Sequence, residues 1–182
     1  MRILGIDPGS SATGYGVVDW RAGVLVHVDH GVVRPPPGTP LAGRLACIHE
    51  RILEVARRHR PDVAVVERVF VASNARSALV LGQARGAALA ALAAAELEVG
   101  ELAAREVKQA VVGTGAASKA QVQGMVARLL GLERRPPLDA SDALAVAICH
   151  AHAGRLAAAG VTPRRRRMSR RALAAQIVGS RS

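Results

Sequence analysis

A layered α/β fold with a mixed sheet is predicted for this chain of 182 residues. Three observations predict it. Short apolar runs and helical periodicities follow one another in the order βββαβα(β)ααα. Half of the residues are apolar but only 2% are aromatic, so Ala, Val, Leu and Ile must form the core. The run Asp62-Val-Ala-Val-Val-Glu67 is short and continuously apolar between its acids, as in a strand buried on both faces of a parallel sheet.

The elements read in order as follows. Ile3 to Ile6 is a strand closed by the turn sequence Asp7-Pro-Gly-Ser10. Gly14 to Asp19 and Val24 to Val28 complete a three-stranded meander, with Val32-Val33 as a candidate extension. Arg34 to Pro40 holds four prolines and is a loop. Apolar residues at 41, 45, 48, 52 and 55 give a helix from Leu41 to Arg60, which Pro61 ends. The strand 62–67 follows. Asn74 to Glu98 is Ala-rich and helical. Val99 to Ala103 is a candidate short strand. Arg105 to Val112 and Ser118 to Leu130 are helices separated by Gly113-Thr-Gly115. A last helix runs from Asp139, after Pro136-Pro137, to about Ala159.

Charge divides the chain. Lys and Arg number 25 against 14 Asp and Glu, a formal +11. Residues 164–182 hold seven Arg and no acid, so they carry +7 and the first 163 residues +4. Pro163 therefore separates a single domain, 1–163, from a basic tail, 164–182, expected to be disordered in isolation. A balance this basic points to a polyanionic partner, nucleic acid ahead of a membrane surface. No run approaches the ~18 apolar residues of a membrane span, and the N-terminal apolar stretch is too short for a signal peptide. Cys47 and Cys149 are far apart and in no CxxC spacing, which excludes a zinc ribbon and fits a reducing cytosol.

In so basic a chain the acids are informative. Asp7 and Glu67 each end an apolar strand; if those strands are neighbours, both carboxylates emerge at one sheet edge. Asp139 and Asp142 are three apart at a helix start and share a face. Each has a plain structural reading: Asp7 in a turn, Glu67 a solvated strand end, Asp139 an N-cap with Asp142 in a variant capping box. Together they form a hard oxygen donor set without His or Cys, suited to Mg²⁺ or Mn²⁺ rather than Zn²⁺. Two such ions ~4 Å apart would serve phosphodiester hydrolysis.

Several motifs resemble one family. They are Ile6-Asp-Pro-Gly-Ser10 with Thr13-Gly-Tyr-Gly16, Val66-Glu-Arg-Val-Phe70, Leu81-Gly-Gln-Ala-Arg-Gly86, Val107-Lys-Gln109, Lys119-Ala-Gln-Val-Gln123 and Asp139-Ala-Ser-Asp-Ala-Leu144. In this order, over roughly residues 1–152, they resemble the RuvC family of crossover junction endodeoxyribonucleases. The resemblance implies an RNase H-like fold with a mixed five-stranded sheet flanked by helices. It also implies a homodimer, Mg²⁺-dependent resolution of four-way Holliday junctions by paired nicks leaving 5′-phosphate and 3′-hydroxyl ends, and an association with RuvA and RuvB. The family's four metal-binding carboxylates fall on Asp7, Glu67, Asp139 and Asp142. The Arg-rich tail is not part of the pattern.

Other residues are candidates for DNA contact. Phe70, the only Phe, lies three residues past Glu67 and is read as stacking on an unpaired base rather than as core. Asn74 and Arg76 are read as phosphate contacts, and Arg85 equally as a surface charge. Gly82 and Gly86 mark either close packing on the sheet or the approach of a two-fold mate. Cys149-His150-Ala-His152 is read as packing, since His150 lies ~16 Å along the helix from Asp139. The chain holds 23 Arg and only two Lys, Lys108 and Lys119, both at or near helix starts, where a bound phosphate offsets the unfavourable dipole. Two other classes compete with a nuclease. An actin-like kinase or ATPase shares the Asp-x-Gly loop but needs two such domains. A non-catalytic binder gains nothing from four acids near phosphates.

Overall fold

The computed structural model describes residues 1–68 and 74–158. Five strands form one mixed sheet in the order β3-β2-β1-β4-β5. β1 (Arg2–Asp7), β2 (Thr13–Arg21) and β3 (Val24–Val33) are the antiparallel meander. β4 (Val63–Arg68) lies parallel to β1, and β5 (Val99–Ala103) parallel to β4. β3 is continuous where two short pieces are predicted: the pairing shifts between Val17 and Val18, so a bulge carries the strand to Val33.

Strand alternation sorts the core into two layers. Leu4, Ile6, Val17, Ala64 and Val66 face α1 (Leu41–His59) and α2 (Ala75–Ala94). Ile3, Val18, Val65 and Leu102 face the other side, where α3 (Ala104–Val112), α4 (Lys119–Leu129) and α5 (Leu138–Ala158) pack. α5 crosses β1 and β2 so closely that a Cβ at Gly5 would collide with the Ala143 carbonyl, and one at Gly14 with the Asp139 carbonyl. This layered sheet with helices on both faces is the predicted architecture.

Helix ends differ from prediction by identifiable chemistry. α1 stops at His59 because Arg60 turns left-handed, with φ 46°, and donates its N–H to the Ala56 carbonyl. α2 ends at Ala94 rather than Glu98: Glu96 takes φ 59°, so the chain turns into β5 despite its helix-forming composition. α5 begins at Leu138, with the Ser141 N–H bonded to the Pro137 carbonyl, so Asp139 lies in the first turn rather than at the N-cap. Against the expectation of no such run, α2 is long and apolar enough to cross a membrane by length and composition. Its Ala84, Ala88, Ala91 and Leu92 are fully buried against the sheet, so that apolar face serves the core.

Candidate active site

Register determines which acids meet. On β1, Ile6 faces α1, so Asp7 takes the α5 side; on β4, Val66 and Glu67 divide in the same way. Ile6 pairs with Val66 across parallel strands, which places Asp7 and Glu67 side by side at their C-terminal ends. The close crossing of α5 at Gly5 and Gly14 brings its first turns over that edge.

The result is a cavity of about 200 Å³ lined by Asp7, Glu67 and Asp142, with Lys108 of α3 and Lys119 of α4. Val107 and Val122 form its apolar wall. Lys119 Nζ donates to Asp142 Oδ2 at 3.0 Å. Asp139 stands outside the cavity lining, and its Oδ2 accepts from Arg34 Nη2 at 3.1 Å. Burial first, then Glu67 and Asp142, push the Asp7 carboxyl up to about 7, while Lys119 opposes the shift. Burial and Asp142 also raise Glu67, against Lys119 and Lys108. The hydrogen bond to Asp142 raises Lys119, so that ammonium stays charged.

The donor set is all carboxylate oxygen, and its mutual repulsion is what a divalent cation relieves. With Asp142 turned to Lys119 and Asp139 to Arg34, no three His, Cys, Asp or Glu among the described residues close round one point. Cations of the chain itself thus neutralise two of the four acids.

The remaining candidates divide. Lys119 opens α4, beside a Ser118–Gln121 capping box, whereas Lys108 lies one turn inside α3. Asn74 caps α2: its Oδ1 accepts the Arg76 N–H at 2.9 Å, leaving both residues exposed at the helix start. Arg85 ties α2 to β5 through Glu101 at 2.7 Å, a structural use rather than a phosphate contact. His152 bonds the Ala110 carbonyl at 3.3 Å and sits edge-on to Trp20, as packing predicts. Phe70 lies outside the described residues. Arg34 was not legible as a site neighbour, because its partner is 105 residues away and its own segment reads only as a proline loop.

The family profile for crossover junction endodeoxyribonuclease RuvC matches residues 3–150. The chain belongs to the RuvC family. That makes it an endodeoxyribonuclease, the enzyme class that the motif resemblance implies. A RuvC of Ralstonia nicotianae is 48% identical over 181 residues, covering 98% of this chain and all of that protein. A RuvC of Hyphomonas neptunium is 55% identical over 152 residues, 84% of this chain and 91% of that one. The structure of Thermus thermophilus RuvC in complex with a Holliday junction substrate is 38% identical, with a TM-score of 0.80 over 86% of this chain and 96% of that one. The yeast mitochondrial resolvase Ydc2, at 11% identity and TM-score 0.60 over 82% of this chain and 78% of that one, shares the fold.

Proposed function

We propose that this nuclease resolves four-way DNA junctions at the cavity between β1, β4 and α5, with Asp7, Glu67, Asp139 and Asp142 holding Mg²⁺ or Mn²⁺, two ions per site. The observation that carries the reading is the meeting of Asp7, Glu67 and Asp142 with Lys108 and Lys119 around one small cavity. When bound, the ions supply activation of water and stabilisation of charge on the leaving oxygen. The chain's own part is to hold four carboxylates in fixed register and to place two ammonium groups beside the phosphate. Asp142 would help to hold the ions, and Lys119, 3.0 Å from it, lines the same cavity as Lys108. Lys108 and Lys119 then offset the negative charge that gathers during in-line attack, a charge-stabilising rather than proton-transferring role. The products are a 5′-phosphate and a 3′-hydroxyl.

Asn74 and Arg76 at the exposed start of α2 supply further backbone contacts, and Phe70 stacks on a base unpaired at the crossover. Paired symmetric nicks need two sites, and the outer face of α2 supports a two-fold mate. Leu79 is 64% exposed there, and Gly82 and Gly86 face open space rather than the sheet. The basic tail, 164–182, adds non-specific affinity to the domain 1–163. RuvA and RuvB are the partners, and the cytosol the compartment, that fit this reading. Incubation with a synthetic four-way junction and with linear duplex tests it. Paired nicks in the junction alone, with Mg²⁺ and not with EDTA, are expected. Equal cutting of duplex, or cutting in EDTA, would refute it.

A further inference from the structure

Beside the carboxylate cavity lies a second depression, about 470 Å³, lined by Ser11, Arg34, Pro36, Thr39 and Arg44. Three parts of the chain build it. Ser11 comes from the loop after Asp7, residues 34–39 from the loop after β3, and Arg44 from the first turn of α1. Its two charged lining residues are both arginines. Arg44 has no ion pair among the described residues, and its Nε is buried without a hydrogen-bond partner. Arg44 thus brings to the groove wall a positive charge that no carboxylate among the described residues pairs with. The first turn of α1 holds no acid and no side-chain cap, so nothing negative competes there.

The strand order places this groove relative to the chemistry. Arg34 follows β3, whose end pairs through Thr13 of β2, and β2 neighbours β1 with Asp7. Two strand spacings, about 10 Å, therefore separate Arg34's strand from the carboxylate strand β1. Lys108, on the helix that follows β5, and Lys119, at the start of α4, line the carboxylate cavity but not the groove. Arg34 belongs to both regions, since it lines the groove and also donates to Asp139.

We infer that this groove seats a non-scissile backbone phosphate of the cut strand, held by Arg44 and shared with Arg34. The inference rests on the nuclease reading of the carboxylate site. A planar guanidinium suits a phosphate because its N–H groups match two phosphate oxygens at once. Arg34, kept beside Asp139, screens the passing strand from that carboxylate. The phosphate fixes the strand's register, so that a linkage further along the same strand falls on the cavity.

The test is junction binding by the full chain in EDTA over a range of salt. Arg44→Gln is expected to weaken binding roughly tenfold and to lower the log–log salt slope by about 0.9, the signature of one lost phosphate contact. Ser11→Asp puts an anion in the groove from an exposed loop position, and is expected to weaken binding with the melting temperature unchanged. Weaker binding by Arg44→Gln with an unchanged slope would assign Arg44 to packing and overturn the inference. If Arg44→Gln does not fold, Ser11→Asp decides alone, and wild-type affinity there overturns it. No metal is present in this assay, so its outcome is separable from the fate of the carboxylate reading, which Asp7→Asn cleavage decides.

Discussion

A carboxylate at position 7 ends a buried strand beside Glu67 and Asp142, and its folded-state pKa of about 7 lies well above the ordinary value. The negative form is therefore destabilising in the metal-free protein. The cost begins near pH 4, where the unfolded carboxyl ionises, and is complete above pH 7. Asp7→Asn should raise the melting temperature in EDTA at pH 8 and change it little at pH 4; a lower melting temperature at pH 8 would contradict this. Asp19 shows the opposite sign. It is 4% exposed, bonded by Arg2 at 2.8 and 3.1 Å and paired with Arg21, and these partners hold it near 2. Its contribution, ~2 kcal/mol, is present above pH 4 and lost as pH falls through 2. Urea unfolding should show that difference between wild type and Asp19→Asn at pH 7, shrinking toward pH 2. At the lysines, Lys119→Ala should slow single-turnover cleavage at least about tenfold, ~1.4 kcal/mol, and Lys119→Arg should not restore the full rate. Full restoration by Arg would mean that a compact ammonium is not required.

Among the elements, α5 is the one whose placement makes the site. Its approach depends on bare backbone at Gly5 and Gly14. Gly14→Ala would displace the first turn of α5, where Asp139 sits, at a cost of about 1–3 kcal/mol. Cleavage should fall further than the loss of folded protein explains, measured by rate per folded molecule. Gly154, in the same helix with open space around it, is the contrast: Gly154→Ala should stabilise by about 0.5–1 kcal/mol and leave the rate alone. The order of elements was legible because apolar runs and helical spacing are local. Their joints were less so. The end of α2 is set by a left-handed Glu96, which no turn residue announces, and the bulge in β3 arises from pairing with β2. The acids of the candidate site stood out because each ends a strand or opens a helix in a chain poor in acids, though Asp139 lies outside the cavity lining. Arg34 and Arg44 did not, since one is defined by a partner 105 residues away and the other by a missing partner.

Over the whole molecule, the proposed function depends on charge arranged around a small acidic cavity. Seven Arg after Pro163 carry more than half of the net charge. Removing residues 164–182 should weaken binding to all DNA, most at low salt, and reduce the salt slope by up to about 0.9 per lost contact. The cleavage rate at saturating junction should stay the same. An unchanged slope would assign the tail to a protein partner instead. Catalysis at the four carboxylates is tested most directly at Asp7. Asp7→Asn is assayed on a four-way junction under single-turnover conditions with Mg²⁺, beside its affinity for the same junction in EDTA. Cleavage should fall about a thousandfold, ~4 kcal/mol, while affinity holds or improves, because an anion has left a phosphate-binding site. Cleavage near the wild-type rate by folded Asp7→Asn would contradict the assignment of this cavity as the catalytic centre.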